Sequence, residues 1–185
     1  VNYRDGYGMH ATNGILFNPS SISKSISSYI NNKQYTETDL FYQNECWNSW
    51  EHHSRFSHPD QAECLRMINA SQQAAHEFLK TADWLLITLG SAFVYELENE
   101  NVVANCHKVP TDKFNKKLLT PAEVTAALQK MIAAVKAFNP FAKIIFTISP
   151  VRHLRDGFIE NNRSKATLIN AVHQLVSEDV MYFPA

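Results

Sequence analysis

The sequence predicts an α/β fold in three layers, with helices on both faces of a mainly parallel sheet. Two short apolar runs, Trp84–Leu89 and Ile144–Ile148, have the length and β-branched content of strands buried on both faces. Helical patterns precede, separate and follow these runs, and such alternation is typical of parallel strands joined by right-handed helical crossovers. The 185 residues, 45% of them hydrophobic, suffice for one core, so we treat residues 1–185 as a single α/β domain.

Local sequence signals predict the helices and the hairpin of the first half of the chain. A serine-rich stretch from Ser20 to Ser28 carries isoleucines at a spacing of four, which is compatible with a short helix. His58-Pro59 predicts the start of a helix that reaches about Lys80, directly before the first strand. Residues 93–97 and 102–104 flank a polar turn and predict a β-hairpin. The residues from 35 to 50 show no clear period.

The second half follows the same alternation. Thr120-Pro121-Ala122-Glu123 is a capping box that begins a helix, and Asn139-Pro140 ends it. The second strand runs from about Lys143 to Ser149, a last helix from about 161 to 176, and a terminal strand over 180–183. Because the chain starts without methionine and stops just after a strand, we expect it to be a fragment that is incomplete at both ends.

Composition and charge argue against nucleic-acid binding, a membrane span and a metal site. With 17 basic and 18 acidic residues, the chain has no overall basic field that would attract nucleic acid. No apolar run approaches the roughly 20 residues that a membrane-spanning helix needs. Three cysteines without CxxC spacing favour a reducing, cytoplasmic compartment, and no histidine pair has the helical spacing of a zinc site. We therefore predict no metal and no cofactor.

Polar residues follow both buried strands. Gly90-Ser91 comes after the first strand and Arg152-His153 after the second, and open parallel sheets bind ligands outside the carboxyl ends of their strands. Ser91 is either a nucleophile or a loop serine bonded to backbone, and the missing Gly-x-Ser-x-Gly pattern favours the loop serine. Arg152 and His153 either recognise a carboxylate or phosphate, or only fix their own loop.

Other reactive residues lie in predicted loops. His53 and His107 could each act as a base or a metal ligand there. Cys106 has no demonstrable base beside it, so we expect a buried cysteine. The aromatic residues before the long helix, Trp50 among them, form either a stacking wall for sugar rings or a small core.

Several blocks resemble the GSCFA-domain family, which is related to the SGNH or GDSL-like hydrolases. They are Asn13-Gly14-Ile15-Leu16-Phe17-Asn18-Pro19, Trp50 with His53 and Phe56, Asn105-Cys106-His107-Lys108-Val109-Pro110 and Ser149-Pro150-Val151-Arg152-His153-Leu154. The resemblance covers nearly the whole chain and implies an SGNH-hydrolase-like, flavodoxin-like fold. In that family an N-terminal Gly-Ser-Cys-Phe-Ala block carries the serine that corresponds to the SGNH nucleophile. A C-terminal segment carries an Asp and a His-Pro that correspond to the SGNH acid and base. Neither segment occurs in this sequence. We therefore expect the nucleophile and base to lie outside this segment.

The resemblance also implies oxyanion-hole donors. In SGNH hydrolases a glycine N–H and an asparagine side chain stabilise the charge of the tetrahedral intermediate. Gly14 is the candidate glycine, with a plain turn glycine as the alternative. The asparagine is missing from its usual place after the first strand, where the sequence reads Gly90-Ser91-Ala92-Phe93. If the predicted hairpin of residues 93–104 folds back to this place, the Asn105 side chain supplies the missing donor. Otherwise Asn105 only forms hydrogen bonds within its own turn.

Two functions remain open from the sequence. The first is a serine esterase or acyl hydrolase acting on a small-molecule or glycan ester, such as a carbohydrate or cell-envelope ester. The second is a non-catalytic α/β domain that binds an anion or a glycan. The candidate catalytic residues are Gly14, Ser91, Asn105, His107 and His153, and the candidate substrate-binding residues are Gly90, Arg152, Trp50 and His53. The oligomeric state cannot be read from the sequence.

Overall fold

The computed structural model describes residues 14–151 and 157–184. Its helices are α1 (Pro19–Ile30), α2 (Gln61–Thr81), α3 (Pro121–Phe138) and α4 (Gly157–His173). Its strands are β1 (Phe41–Gln43), β2 (Cys46–Asn48), β3 (Trp84–Leu89), β4 (Phe93–Glu96), β5 (Val102–Val103), β6 (Asn115–Leu118), β7 (Lys143–Ile148) and β8 (Val180–Phe183). In the described part of the chain no helix has the length and apolar character that crossing a bilayer requires.

The two apolar runs form neighbouring parallel strands, as the sequence predicts. The main sheet has the order β3-β7-β8, and Leu85 pairs with Ile144, which pairs with Val180. Helix α3 connects β3 to β7, and helix α4 connects β7 to β8. The predicted α/β fold with a parallel sheet is therefore confirmed.

One face of this sheet carries the main core. Alternate side chains of β3 and β7 are buried there against residues of all four described helices. On the opposite face of β3, Trp84 is 48% exposed and Leu86 is 60% exposed. The sequence predicted burial of both faces, but both crossovers step across the sheet in the same direction, so both connecting helices pack on the same face. The described helices therefore form a single layer on one face of the sheet, whereas the sequence predicted helical layers on both faces.

Helix ends follow the capping signals with two corrections. The Thr120 side chain accepts a hydrogen bond from the Glu123 N–H, as the capping box predicts. Helix α2 begins at Gln61 rather than at Pro59, because the Asp60 side chain accepts from the Glu63 N–H and caps the helix there. Helix α4 begins at Gly157 and ends at His173, both earlier than predicted, with i to i+3 bonds tightening its last turn.

Two small antiparallel sheets accompany the main one. Strands β4 and β5 form the predicted hairpin, and β6 pairs with the other edge of β4. The sequence did not predict β6 or the β1-β2 hairpin. In that hairpin Asn44 and Glu45 both have positive φ, of 49° and 59°. A two-residue turn of this kind usually shows glycine at its second position, and glutamate there hides the signal.

Candidate functional site

The candidate site is a cleft of about 400 Å³ at the carboxyl end of β3. It is lined by Ile15, Phe17, Asn18, His53, Gly90, Ser91, Phe93, Tyr95, Val103, Ala104, Asn105, Cys106, Asn161 and Ser164. The cleft lies where an open parallel sheet is expected to bind its ligand. Four of the predicted site residues therefore meet in one place: Gly90, Ser91, Asn105 and His53.

The end of β3 is fixed to the segment before α1. The backbone N–H groups of Gly90 and Ser91 both donate to the Phe17 carbonyl oxygen, at 2.8 and 3.0 Å. A Cβ atom on Gly90 would stand 3.0 Å from the Phe17 ring, so glycine permits this close approach. The Gly90 carbonyl accepts from Lys165 Nζ at 2.6 Å, and burial lowers the pKa of Lys165. These two amides are occupied and are not free to bind a ligand oxygen.

Ser91 is bonded within its own loop. Its Oγ accepts from the Phe93 N–H at 3.0 Å and lies 3.3 Å from Ser164 Oγ. Ser164 Oγ in turn accepts from the Ala92 N–H at 2.8 Å. Within the described ranges no histidine or carboxylate is hydrogen-bonded to Ser91, and a serine nucleophile needs such a base. The geometry favours the loop serine over the nucleophile.

Asn105 reaches the cleft because the hairpin folds back over the end of β3. Its Oδ1 accepts from the His107 N–H at 2.9 Å, and this bond sets the orientation of the amide group. In the described part of the chain Nδ2 has no hydrogen-bond partner, so it is the end of the side chain available to a ligand. One end of the Asn105 amide therefore bonds its own turn, as one of the two interpretations expects, and the role of Nδ2 as an oxyanion donor stays a prediction.

His107 lies outside the lining of the cleft. Its imidazole is 6% exposed, and Nε2 donates to the Ser49 carbonyl at 2.8 Å. The ring meets Phe41 edge-on, with centroids 5.6 Å apart. Burial lowers the pKa of His107, although its backbone hydrogen bonds act in the opposite direction. His107 has a positive φ of 48°, and its buried ring holds the turn that carries Asn105.

Gly14 and His53 are packed directly against each other. Gly14 has φ +84°, and a Cβ atom there would come within 2.2 Å of His53 Cβ. His53 Nδ1 accepts from the Arg55 N–H at 3.1 Å and caps the short 3-10 helix Ser54–Phe56. Gly14 therefore has a positional role that a plain turn glycine would not need, because it leaves room for the histidine that lines the cleft.

Trp50 belongs to an aromatic cluster beside the cleft and does not line it. Its ring stacks on Phe41 with centroids 3.7 Å apart and meets Phe114 edge-on. Phe56, from the same region of the sequence, is buried in a small core with Tyr35, Cys64 and Ile68. Of the two interpretations of these aromatic residues, the structure favours core packing for Phe56, while Trp50 packs with Phe41 and Phe114 outside that core.

The aromatic wall of the cleft comes from residues that the sequence did not single out. Phe17, Phe93 and Tyr95 all line the cleft. Phe93 and Tyr95 alternate along β4, while Val94 between them is buried, and this period of two is a signal that could have found them. Cys106 was expected to be buried, but it is half-buried and also lines the cleft.

Arg152 and His153 lie outside the described residues, so their predicted roles stay predictions. Within the described ranges no three His, Cys, Asp or Glu side chains are grouped so that they could hold a metal ion.

A parallel sheet with helical crossovers and a cleft at a strand end defines an α/β domain of the open-sheet type, and the cleft lies where such sheets bind their ligands. The chain belongs to the GSCFA family, whose family model matches residues 3–185. This match confirms the resemblance seen in the sequence blocks. No curated protein and no solved structure matches the chain.

Proposed function

We propose that this chain is part of an SGNH-like serine hydrolase that cleaves acyl esters. In this proposal the cleft binds the ester and Asn105 donates Nδ2–H to the oxyanion of the tetrahedral intermediate. The nucleophilic serine and its base come from outside the described residues. The observation that carries the proposal is the Asn105 amide, whose oxygen is bonded to the His107 N–H and whose nitrogen has no hydrogen-bond partner among the described residues, while Asn105 lines the cleft.

An oriented donor is what ester hydrolysis requires. A donor that is already in place when negative charge develops on the ester oxygen costs no reorganisation during the reaction. The bond from the His107 N–H provides this preorganisation, because rotating the Asn105 amide would leave that N–H without its acceptor. The lining residues in the described ranges include no carboxylate that would repel an oxyanion.

The wall of the cleft supports a carbohydrate ester as the substrate. Aromatic rings pack against the apolar faces of sugars, and the lining of the cleft contains three such rings, those of Phe17, Phe93 and Tyr95. Among the described residues Cys46, Cys64 and Cys106 form no disulfide, which supports a cytoplasmic location, where thiols stay reduced.

A second candidate is a non-catalytic domain that binds an anion or a glycan. The bonds from Gly90 and Ser91 to the Phe17 carbonyl favour it, because they remove two backbone donors that an oxyanion hole could have used. The same cleft and the same Asn105 donor would then hold a ligand without cleaving it.

The test is to treat the full-length protein that contains this chain with a fluorophosphonate probe and to locate any adduct by peptide mass spectrometry. The hydrolase proposal expects one adduct, on a serine outside the described residues. An adduct on Ser91 would place the nucleophile inside the cleft. No adduct on the native protein would favour the binding domain.

A further inference from the structure

We propose that His53 binds the ligand of the cleft as a hydrogen-bond donor through Nε2–H and is not the base of the reaction. The proposal rests on the proposed ester-hydrolase function for the nature of the ligand. Sequence reasoning left His53 open as a base, a metal ligand or a substrate-binding residue. The structure distinguishes these roles through the partner of the other ring nitrogen.

The hydrogen bond at Nδ1 fixes the tautomer. Nδ1 accepts from the Arg55 N–H at 3.1 Å, so Nδ1 carries no proton. A neutral imidazole with an acceptor at Nδ1 has its proton on Nε2. To act as a base through Nε2, His53 would need the opposite tautomer, which sets two hydrogens between Nδ1 and the Arg55 nitrogen. The cap of the short helix Ser54–Phe56 therefore disfavours the tautomer in which Nε2 is unprotonated and could accept a proton.

The packing at Gly14 fixes the position of the ring. A Cβ atom at residue 14 would stand 2.2 Å from His53 Cβ and 2.9 Å from Cγ, so the backbone there closes on the base of the side chain. His53 lines the cleft, and in the described ranges Nε2 has no hydrogen-bond partner. The histidine is thus held at Cβ and Nδ1, and Nε2–H is the group left for a ligand.

The donors in the cleft define what it can recognise. His53 and Asn105 both line the same cleft, and each has one polar side-chain atom, Nδ1 or Oδ1, bonded to nearby backbone, which leaves Nε2–H and Nδ2–H as the donors for a ligand. Two oriented donors match a ligand with at least two acceptor oxygens, such as the carbonyl of an ester and a neighbouring sugar oxygen. We therefore assign to His53 an acceptor oxygen of the substrate separate from the one that Asn105 binds.

Two substitutions separate the ligand role of His53 from its capping role. In His53→Asn the side-chain oxygen takes the place of Nδ1 and can still cap the Arg55 N–H, but the outer donor is lost. In His53→Gln the longer amide places an N–H near the position of Nε2, while the cap is weakened. If His53 donates to the ligand, glutamine restores kcat/KM for an acetylated sugar, whose further oxygens supply the second acceptor, and asparagine leaves it about tenfold lower, mainly through KM. A purely structural role predicts the reverse order, and equal losses in both variants would also overturn the proposal.

A measurement without turnover keeps this proposal separate from the hydrolase proposal. Histidine-selective ¹⁵N NMR of the full-length protein reads the tautomer directly, and we expect the proton on Nε2. Addition of acetate, an acceptor like the product of ester cleavage, should shift the Nε2–H signal of His53 in a saturable way. A proton on Nδ1, or no shift with acetate, would overturn the donor role. A wild-type protein that shows these signals but forms no serine adduct would contradict the hydrolase proposal alone.

Discussion

The backbone N–H of His107 donates to Oδ1 of Asn105 across 2.9 Å, so a buried histidine determines which end of the asparagine amide is free. His107 is itself anchored by the bond from Nε2 to the Ser49 carbonyl. A histidine beside a cleft suggests a base, but this one acts through the backbone of the turn. Its ring contributes burial and anchoring, and the residue two positions earlier, Asn105, lines the cleft.

Asn105→Asp tests the donor directly. Aspartate keeps an oxygen for the His107 N–H but loses the amide donor, so the turn should remain and the stabilisation of the oxyanion should not. We expect kcat/KM of the full-length protein for p-nitrophenyl acetate to fall by about 100-fold, with Tm nearly unchanged. An unchanged kcat/KM would show that Asn105 does not contact the reacting carbonyl.

Ser91→Ala separates the loop serine from the nucleophile. Loss of the bond from the Phe93 N–H should lower the free energy of unfolding by about 1 kcal/mol. The fluorophosphonate adduct should persist in this variant. Ser149→Ala is the matched control, because Ser149 also follows a parallel strand and its Oγ accepts from the Val151 N–H. Disappearance of the adduct in Ser91→Ala alone would identify Ser91 as the nucleophile.

Gly14→Ala should destabilise the protein more than Gly157→Ala. Both glycines have nearly the same positive φ, +84° and +85°, so alanine is strained by about 1 kcal/mol at either position. At Gly14 the new Cβ also meets His53 Cβ at 2.2 Å, whereas at Gly157 no described residue comes within 4 Å. Urea unfolding should therefore show an additional loss of about 1–3 kcal/mol for Gly14→Ala. Equal losses would mean that the His53 side chain moves aside without cost.

Stability should fall as the pH is lowered from 7 to 5. Complete burial lowers the pKa of His52 from 6.5 to about 4, although the nearby Glu51 carboxylate opposes this shift. The unfolded chain therefore takes up a proton at His52 in this range while the folded chain does not, and the free energy of unfolding drops by about 2 kcal/mol. His107, whose pKa burial also lowers, adds to the same trend.

The control for this prediction is His52→Asn, which removes the titrating group and can still bond Ser49 Oγ. Urea unfolding of this variant should depend less steeply on pH between 7 and 5. An equal slope in both proteins would assign the pH dependence to groups other than His52.

The sequence predicted the parts of the fold that local chemistry encodes. The capping box at Thr120, the two parallel strands and the β4-β5 hairpin are each marked by neighbouring residues. The β1-β2 hairpin was missed because Asn44-Glu45 lacks the glycine that usually marks such a turn. The ends of α4 were misplaced because no proline or cap marked them.

The site was harder to predict because its decisive contacts are distant in sequence. The hydrogen-bonding state of Ser91 depends on Ser164, 73 positions away, and the place of Asn105 depends on how its hairpin folds over β3. No local pattern reports either contact. The close packing of Gly14 against His53 was likewise not predicted, although the sequence analysis named both residues as site candidates for separate reasons.

The single carbonyl of Phe17 joins the loop after β3 to the segment before α1 through two hydrogen bonds. These two pieces of chain therefore form one stiff wall, and their amide hydrogens should exchange slowly with solvent although they lie in loops. The Asn105 turn is held separately, through the bond from His107 Nε2 to the Ser49 carbonyl. Both sides of the cleft are therefore positioned before a ligand arrives, so a ligand that does not match their spacing should bind weakly rather than reshape the cleft.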